Sequence, residues 1–194
     1  MPKKQARDNS GETRELTTSD GRRLTLRRMQ ASDKDTVLNF ARSLPPDDLL
    51  FLRTDITDPK IVDEWIANIE RGGTVTVLAV AEGELAGYAS LHLEQAQWTR
   101  RVGEIRVQVG LAFRGIGLGR RLAAQVFRIG EARGLKKMAA MMTTDQAGAR
   151  TAFEKLGFSV EALLQDWVVD RKGRSRDLLI MSHDLEGLSD QVTA

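Results

Sequence analysis

Hydrophobic and polar positions change period several times along the chain, and each change marks an element. Between Arg22 and Arg28, Leu24 and Leu26 alternate with polar neighbours, which predicts a strand. Ser32 or Asp33 can then cap a helix carrying Val37, Leu38 and Ala41, and Pro45-Pro46 stops it. Ile61, Trp65 and Ile69 recur at helical spacing and predict a second helix from Pro59 to Glu70, ended by Gly72-Gly73. The period then drops to two. Val75 to Ala81 reads as a largely buried strand, and Glu82-Gly83-Glu84 turns it into a second, Leu85 to Leu93. A third strand runs from Val102 to Val109, with Ile105, Val107 and Val109 on one face and Glu104, Arg106 and Gln108 on the other.

A glycine-rich connection, Gly110 to Gly119, leads into a helix from about Gly117 to Arg133, whose buried face is Leu118, Leu122, Val126 and Ile129. Gly134 closes it. Lys137 to Thr144 reads as an apolar strand. A short helix with Ala149, Ala152, Phe153 and Leu156 on one face follows, broken at Gly157. Two strands, near Ala162 to Val169 and Arg176 to His183, flank the turn Asp170-Arg171-Lys172-Gly173. The order β-α-α-β-β-β-α-β-α-β-β predicts an α/β domain with a mostly antiparallel sheet of about seven strands and one crossover helix. Residues 1–20 and 186–194 read as polar tails, leaving 21–185 as the domain.

Composition narrows the class. The 194 residues fit one domain, and 41% hydrophobic with 29% charged residues excludes a disordered chain. The longest apolar runs, Val77–Ala81 and Met138–Met142, fall far short of the ~20 residues of a membrane span, so no membrane partner is expected. No cysteine and two histidines, His92 and His183, give no expectation of a disulfide or a metal site. The polar start contains no apolar signal core, and a cytoplasmic protein is expected. Charge is uneven. Residues 97–138 hold ten basic side chains against Glu104 and Glu131, a balance of +8, while 33–64 hold eight acids against four bases, −4. The first stretch suits an anionic ligand and the second a cationic one. Aromatic residues are 5% of the chain, which argues against nucleic acid as a partner.

Candidate chemistry concentrates in Val109 to Arg121, between an apolar strand and an amphipathic helix. Glycines there allow close backbone approach, and the first helical turn offers unpaired N–H groups with a partial positive charge. Together they make a phosphate cradle, with Arg114, Arg120 and Arg121 as full charges. A P-loop is excluded because Gly119 is followed by Arg120-Arg121 rather than Lys-Ser/Thr. A dinucleotide fingerprint fails on its G-x-G-x-G spacing, its place past mid-chain, and Ala139 where an acid belongs.

Arg114-Gly115-Ile116-Gly117-Leu118-Gly119 resembles the R/Q-x-x-G-x-G/A acetyl-CoA pyrophosphate loop of the GNAT superfamily of N-acetyltransferases. Val107-Gln108-Val109 looks like the strand before that loop, and Phe153-Glu154-Lys155-Leu156-Gly157-Phe158 looks like the family's Y-E-K-L-G-F segment. The resemblance implies a GNAT-like mixed sheet with helices on both faces, and acetyl transfer from acetyl-CoA to a primary amine by direct attack in a ternary complex. It implies that main-chain groups of Val107 and Val109 hold the pantetheine arm, and that the Val109 amide also stabilises the oxyanion. Amides of Gly115, Gly117, Leu118, Gly119 and Arg120, with Arg114, would hold the pyrophosphate. Glu104 stands where some members carry their base, and the same carboxylate could instead pair with Arg106 or Arg101.

Two positions depart from the family pattern. Phe153 replaces the tyrosine that often serves as general acid, and Gln146 replaces an asparagine that touches pantetheine. These leave a second reading open, a non-catalytic acyl-CoA-binding or sensing module. The acceptor region implied by the fold, Ser43 to Pro59 and the last hairpin, contains Asp47, Asp48, Asp55 and Asp58, which favour a small cationic amine or a protein amino group. A monomer or homodimer is expected.

Overall fold

The structure is a computed structural model that describes residues 13–49, 52, 54–93, 96–170 and 173–185. The expected tails before residue 13 and from 186, and residues 171 and 172 of the last turn, lie outside the described residues. Eight strands form one sheet in the order β1-β2-β3-β4-β5-β6-β8-β7. They are β1 (Arg14–Thr17), β2 (Arg23–Arg28), β3 (Thr74–Ala81), β4 (Glu84–Leu93), β5 (Val102–Val109), β6 (Lys137–Thr143), β7 (Ser159–Val169) and β8 (Ser175–Asp184). Only β5 and β6 pair in parallel, and the connection between them is the crossover helix α4 (Leu118–Ala132). The remaining helices are α1 (Lys34–Ser43), α2 (Pro46–Leu49), α3 (Pro59–Glu70) and α5 (Ala147–Glu154).

Strand alternation divides the interior into two cores. Val75, Val77 and Ala79 of β3 and Ala89 and Leu91 of β4 face α4, whose Leu122, Val126 and Ile129 are completely or almost completely buried against them. Each such side chain contributes roughly 1.5–3 kcal/mol through lost apolar surface. Leu78, Leu85 and Tyr88 face the other way and pack on Val37, Phe40 and Ala41 of α1 and Val62 of α3. Helices therefore cover both faces. At the β3–β4 pair, Ala79 lies opposite Gly87 and Val80 opposite Leu85, so Ala86 is an extra residue, a β-bulge. Its carbonyl accepts from the Gly110 N–H at 2.9 Å, which fixes where the chain leaves β5.

Two elements differ from the expectation. The polar stretch to residue 20 contains β1, an edge strand paired with β2 in which Leu16 is the apolar contact with the core. The two prolines stop α1 at Ser43, yet Pro46 also opens the short α2, since its fixed φ suits a first helical turn. Asp58 caps α3 by accepting from Lys60 N–H at 2.9 Å, with Pro59 behind it, so α3 begins and ends at the predicted residues. No helix among the described residues is long and apolar enough to cross a membrane.

Candidate active site

The glycine-rich segment folds as a 3-10 turn, Leu111–Phe113, followed by the start of α4. Gly115 and Gly117 sit at φ +76° and +79°, a left-handed conformation that side chains disfavour, and Gly117 is the N-cap of α4. A Cβ at either would meet nothing within 4 Å, so the main chain faces open space there. The first intrahelical donor is Arg121 N–H, to Gly117 O, so the amides of Leu118, Gly119 and Arg120 precede the helical ladder. Gly119 brings α4 onto β5: a Cβ there would lie 3.5 Å from Val109 Cγ2 and 3.9 Å from Val107 Cγ1. Arg120 and Arg121 are exposed beside this turn.

Beneath it, β5 and β6 part. Their register covers only Val102–Lys137, Gly103–Met138 and Glu104–Ala139, after which the strands diverge. Gly110 N–H points to β4, and the Val109 carbonyl points the other way, accepting from Arg114 Nε at 3.0 Å. Main-chain groups of successive strand residues face opposite edges, so Val107 and Val109 both direct theirs to the parted edge. Arg114 also pairs with Asp48 of α2, and Gln108 Nε2 donates to the Asp48 carbonyl at 3.3 Å, tying α2 to the end of β5. On the β6 side, Gln146 is the N-cap of α5 and its Oε1 accepts from Thr143 N–H at 3.2 Å. Phe153 is buried, its ring edge-on to Phe158 at 5.0 Å.

On the opposite face of the sheet, α3, β3, β4 and β5, with Leu52, Thr54 and Ile56 of the link before α3, line an open cavity of about 400 Å³. Its floor is polar. Trp65 Nε1 donates to Thr76 Oγ1 at 3.1 Å, which in turn contacts Ser90 Oγ at 2.9 Å. One rung along, Asn68 Nδ2 donates to Thr74 Oγ1 at 2.6 Å, and His92 Nδ1 lies 3.3 Å from the same oxygen. Across the β4–β5 pair, Tyr88 stands opposite Gln108, Ser90 opposite Arg106 and His92 opposite Glu104. Burial pushes the Tyr88 phenol above its ordinary value. Glu104 Oε1 accepts from Arg106 Nε at 2.7 Å, so of the two partners weighed for this carboxylate Arg106 is engaged, and Arg106 lines the cavity.

Of the four acids expected to draw a cationic acceptor, Asp47 is exposed on α2 and three are engaged locally. Asp48 pairs with Arg114, Asp55 accepts from Thr57 N–H and Oγ1, and Asp58 caps α3. The charged and titratable side chains that line the cavity are Glu64, Arg71, Tyr88, His92 and Arg106. Thr74, Thr76 and Ser90 were the available signal in the sequence: polar residues within strands whose other positions are apolar need partners when buried. Among the described residues, no three His, Cys, Asp or Glu side chains gather in a way that could hold a metal ion.

The cradle, the parted strands and the crossover helix lie together within the span that matches a known family model, acetyltransferase (GNAT) family, over residues 38–158. No protein of curated function matches the chain. Solved structures do. The ribosomal-protein-alanine N-acetyltransferase from Brucella melitensis has a TM-score of 0.72 at 24% identity, covering 82% of this chain and 99% of that one. A GNAT superfamily phosphinothricin acetyltransferase from Sinorhizobium meliloti, in complex with acetyl-CoA, has 0.72 at 20% identity, over 83% and 88%. The GNAT domain of S. lividans PAT has 0.72 at 15% identity, over 89% and 97%. At these identities the likeness to each is one of fold. The family model, which covers well over half of the sequence, settles the wider question: this chain belongs to the acetyltransferase (GNAT) family.

Proposed function

We propose that the chain transfers an acetyl group from acetyl-CoA to a primary amine held on the α3 face, by direct attack in a ternary complex. The observation that carries this reading is a coincidence of place. The parted edge of β5 and the left-handed N-cap of α4 lie at the same end of one strand. The cradle fits a diphosphate: main chain at Gly115 and Gly117 faces open space, and the amides of Leu118, Gly119 and Arg120 sit at the positive end of α4. Arg114, Arg120 and Arg121 are the full charges proposed to complement it. Main-chain groups of Val107 and Val109 would hold an extended arm between β5 and β6, with Gln146 and Phe153 on the far side; the short β5–β6 register supports this. When bound, acetyl-CoA supplies an acetyl thioester, and the Val109 N–H is the donor aimed at the edge where a carbonyl oxygen would need one.

The acceptor must lose a proton, since a lysine-type ammonium titrates near ~10.4. Glu104 faces the acceptor side and is the proposed carboxylate of the proton-accepting site, steadied by Arg106. Phe153 has no proton to give, so a leaving thiolate, with an ordinary value near ~8.5, departs without help from that position.

The test is Gly117→Val. Its side chain would enter the open space over the cradle and strain a φ of +79°. Acetyl-CoA affinity, measured by calorimetry, should fall at least about tenfold, a cost of about 1.4 kcal/mol. Free-thiol release with a panel of amines reads the transfer itself. Unchanged affinity would count decisively against the cradle.

A further inference from the structure

We infer that the Tyr88 hydroxyl holds the acceptor amine for attack, its oxygen accepting a hydrogen bond from the amine N–H inside the cavity. The inference rests on the proposed transfer and deepens it. Tyr88 is 3% exposed and lines the cavity. Among the described residues every buried side-chain nitrogen and oxygen has a hydrogen-bond partner. The other buried hydroxyls of the cavity, those of Thr74, Thr76 and Ser90, are all paired. The Tyr88 hydroxyl has no partner among the described residues, so its oxygen is not sealed in the core but opens on the cavity. An acceptor that fills the cavity displaces solvent from that oxygen and must replace the bond it loses.

The ring is fixed before any ligand arrives. Trp65 packs on it with centroids 5.1 Å apart, and Phe40 meets it edge-on at 6.0 Å. It is also fixed at the reacting end. Tyr88 stands opposite Gln108, the residue between Val107 and Val109, whereas His92 lies four residues along β4, ~13 Å away at ~3.3 Å per residue. The α3 helix follows the same direction. Trp65 bonds to Thr76 and Asn68 to Thr74, which puts Ile61 one turn towards Tyr88 and Arg71 one turn farther off. Leu52, Ile56 and Ile61 line the cavity and belong to the apolar cluster that contains Tyr88. The cavity is therefore graded, apolar around Tyr88 and polar at its far end.

Such surroundings favour the neutral amine, because apolar walls disfavour an ammonium. A neutral amine can give an N–H to the phenol oxygen and keep its lone pair for the acetyl carbon. Burial keeps the phenol itself protonated, against the opposing pull of the Arg106 guanidinium, so the oxygen carries no charge. No proton changes hands at this contact. Tyr88 sets the distance and direction of the nitrogen, which act on rate as well as binding because the reacting atoms must come within ~3–3.5 Å in line.

Two measurements on the complete chain test this. Tyr88→Phe keeps the ring and its packing and removes one oxygen. Its melting temperature and acetyl-CoA affinity should match wild type, because the hydroxyl bonds to no described residue. Its kcat/KM for the amine should fall about tenfold, read by thiol release with butylamine, spermidine and Nα-acetyl-lysine. Tyr88 is the sole tyrosine, so ¹³Cζ-labelled tyrosine gives one phenol resonance. With CoA bound, a saturating amine should shift it; the amine used fastest serves, or butylamine if none is used. If wild type transfers acetyl and Tyr88→Phe does so equally well, or if the resonance stays unmoved, the inference falls and the transfer reading stands. If the variant melts low, the resonance of the wild-type chain decides alone. A shift without turnover of any amine upholds the contact and refutes the transfer reading. Neither shift nor turnover removes both.

Discussion

Gly87→Ala places a methyl group where the sheet has no room for one. A Cβ at Gly87 would lie 2.6 Å from the Gln108 carbonyl oxygen, 3.2 Å from Val109 Cα and 3.4 Å from Leu122 Cδ1. The Leu122 contact is ordinary. The other two are to main chain, which cannot rotate away, so β5 must move by several tenths of an ångström beside Val109. Overpacking of this kind costs about 1–3 kcal/mol. With a central value of about 2 kcal/mol and about 2–4 °C per kcal/mol for a chain of this size, the melting temperature should fall by about 4–8 °C. The same shift displaces the Val109 amide, and misplacement approaching 1 Å costs about 10² in rate, so kcat should fall by more than the stability loss explains. Gly148→Ala is the internal control. It lies within α5, a Cβ there meets nothing within 4 Å, and the exchange should stabilise by about 0.5–1 kcal/mol. Thermal denaturation and thiol release on the two variants, side by side, read both effects. If Gly87→Ala melts with wild type and turns over normally, the tight β4–β5 approach has no bearing on the site.

Asp33 ties the start of α1 to β2 through two bonds from Arg27, at 2.6 and 2.7 Å, and one from Gln30 N–H at 2.8 Å. The Arg27 guanidinium holds its carboxyl below the usual range. Because the folded value is depressed, this stabilisation is complete above the unfolded value of ~3.9 and is lost as pH falls through the folded one. Asp33→Asn should cost about 2 kcal/mol at neutral pH, less than the ~3–5 of a fully buried pair because the Arg27 side chain is 32% exposed. The gap in melting temperature should narrow on acidification below the ordinary carboxylate value of ~3.9, and a constant gap would refute the account. Asp48→Asn releases Arg114 from its ion pair beside the cradle. Acetyl-CoA should then bind a few-fold tighter at low salt, with the gain fading as salt rises and the melting temperature nearly constant; weaker binding would show that the pair itself shapes the site.

Local features were legible in the sequence because their physics is local. The bounds of α3 follow from an Asp-Pro start, and those of β5 from a clean alternation. The left-handed turn and leading amides at the start of α4 followed from glycine spacing before a helix, since they need only neighbours in sequence. β1 escaped notice because four residues with one apolar side chain carry no period, and it is ordered by its ladder with β2. The polar floor escaped for a different reason. His92 meets Glu104, and Ser90 meets Arg106, only in a register set downstream of the bulge at Ala86, and no single segment records a register. The aspartates of the link illustrate the converse. Their number is visible in the sequence, but whether each binds a ligand, caps a helix or pairs with an arginine depends on what the fold brings beside it.

The short ladder between β5 and β6 has a mechanical meaning. Strands β1 to β5 and the group β6, β8 and β7 share three residue pairs of parallel register, backed by α4 and α5. A molecule lying between the two lips and bonded to both would act as a splint across this seam. Amide exchange should then slow in β6 and β8 as well as at the contact, so that protection far from the ligand reports how firmly the two parts of the sheet have been joined.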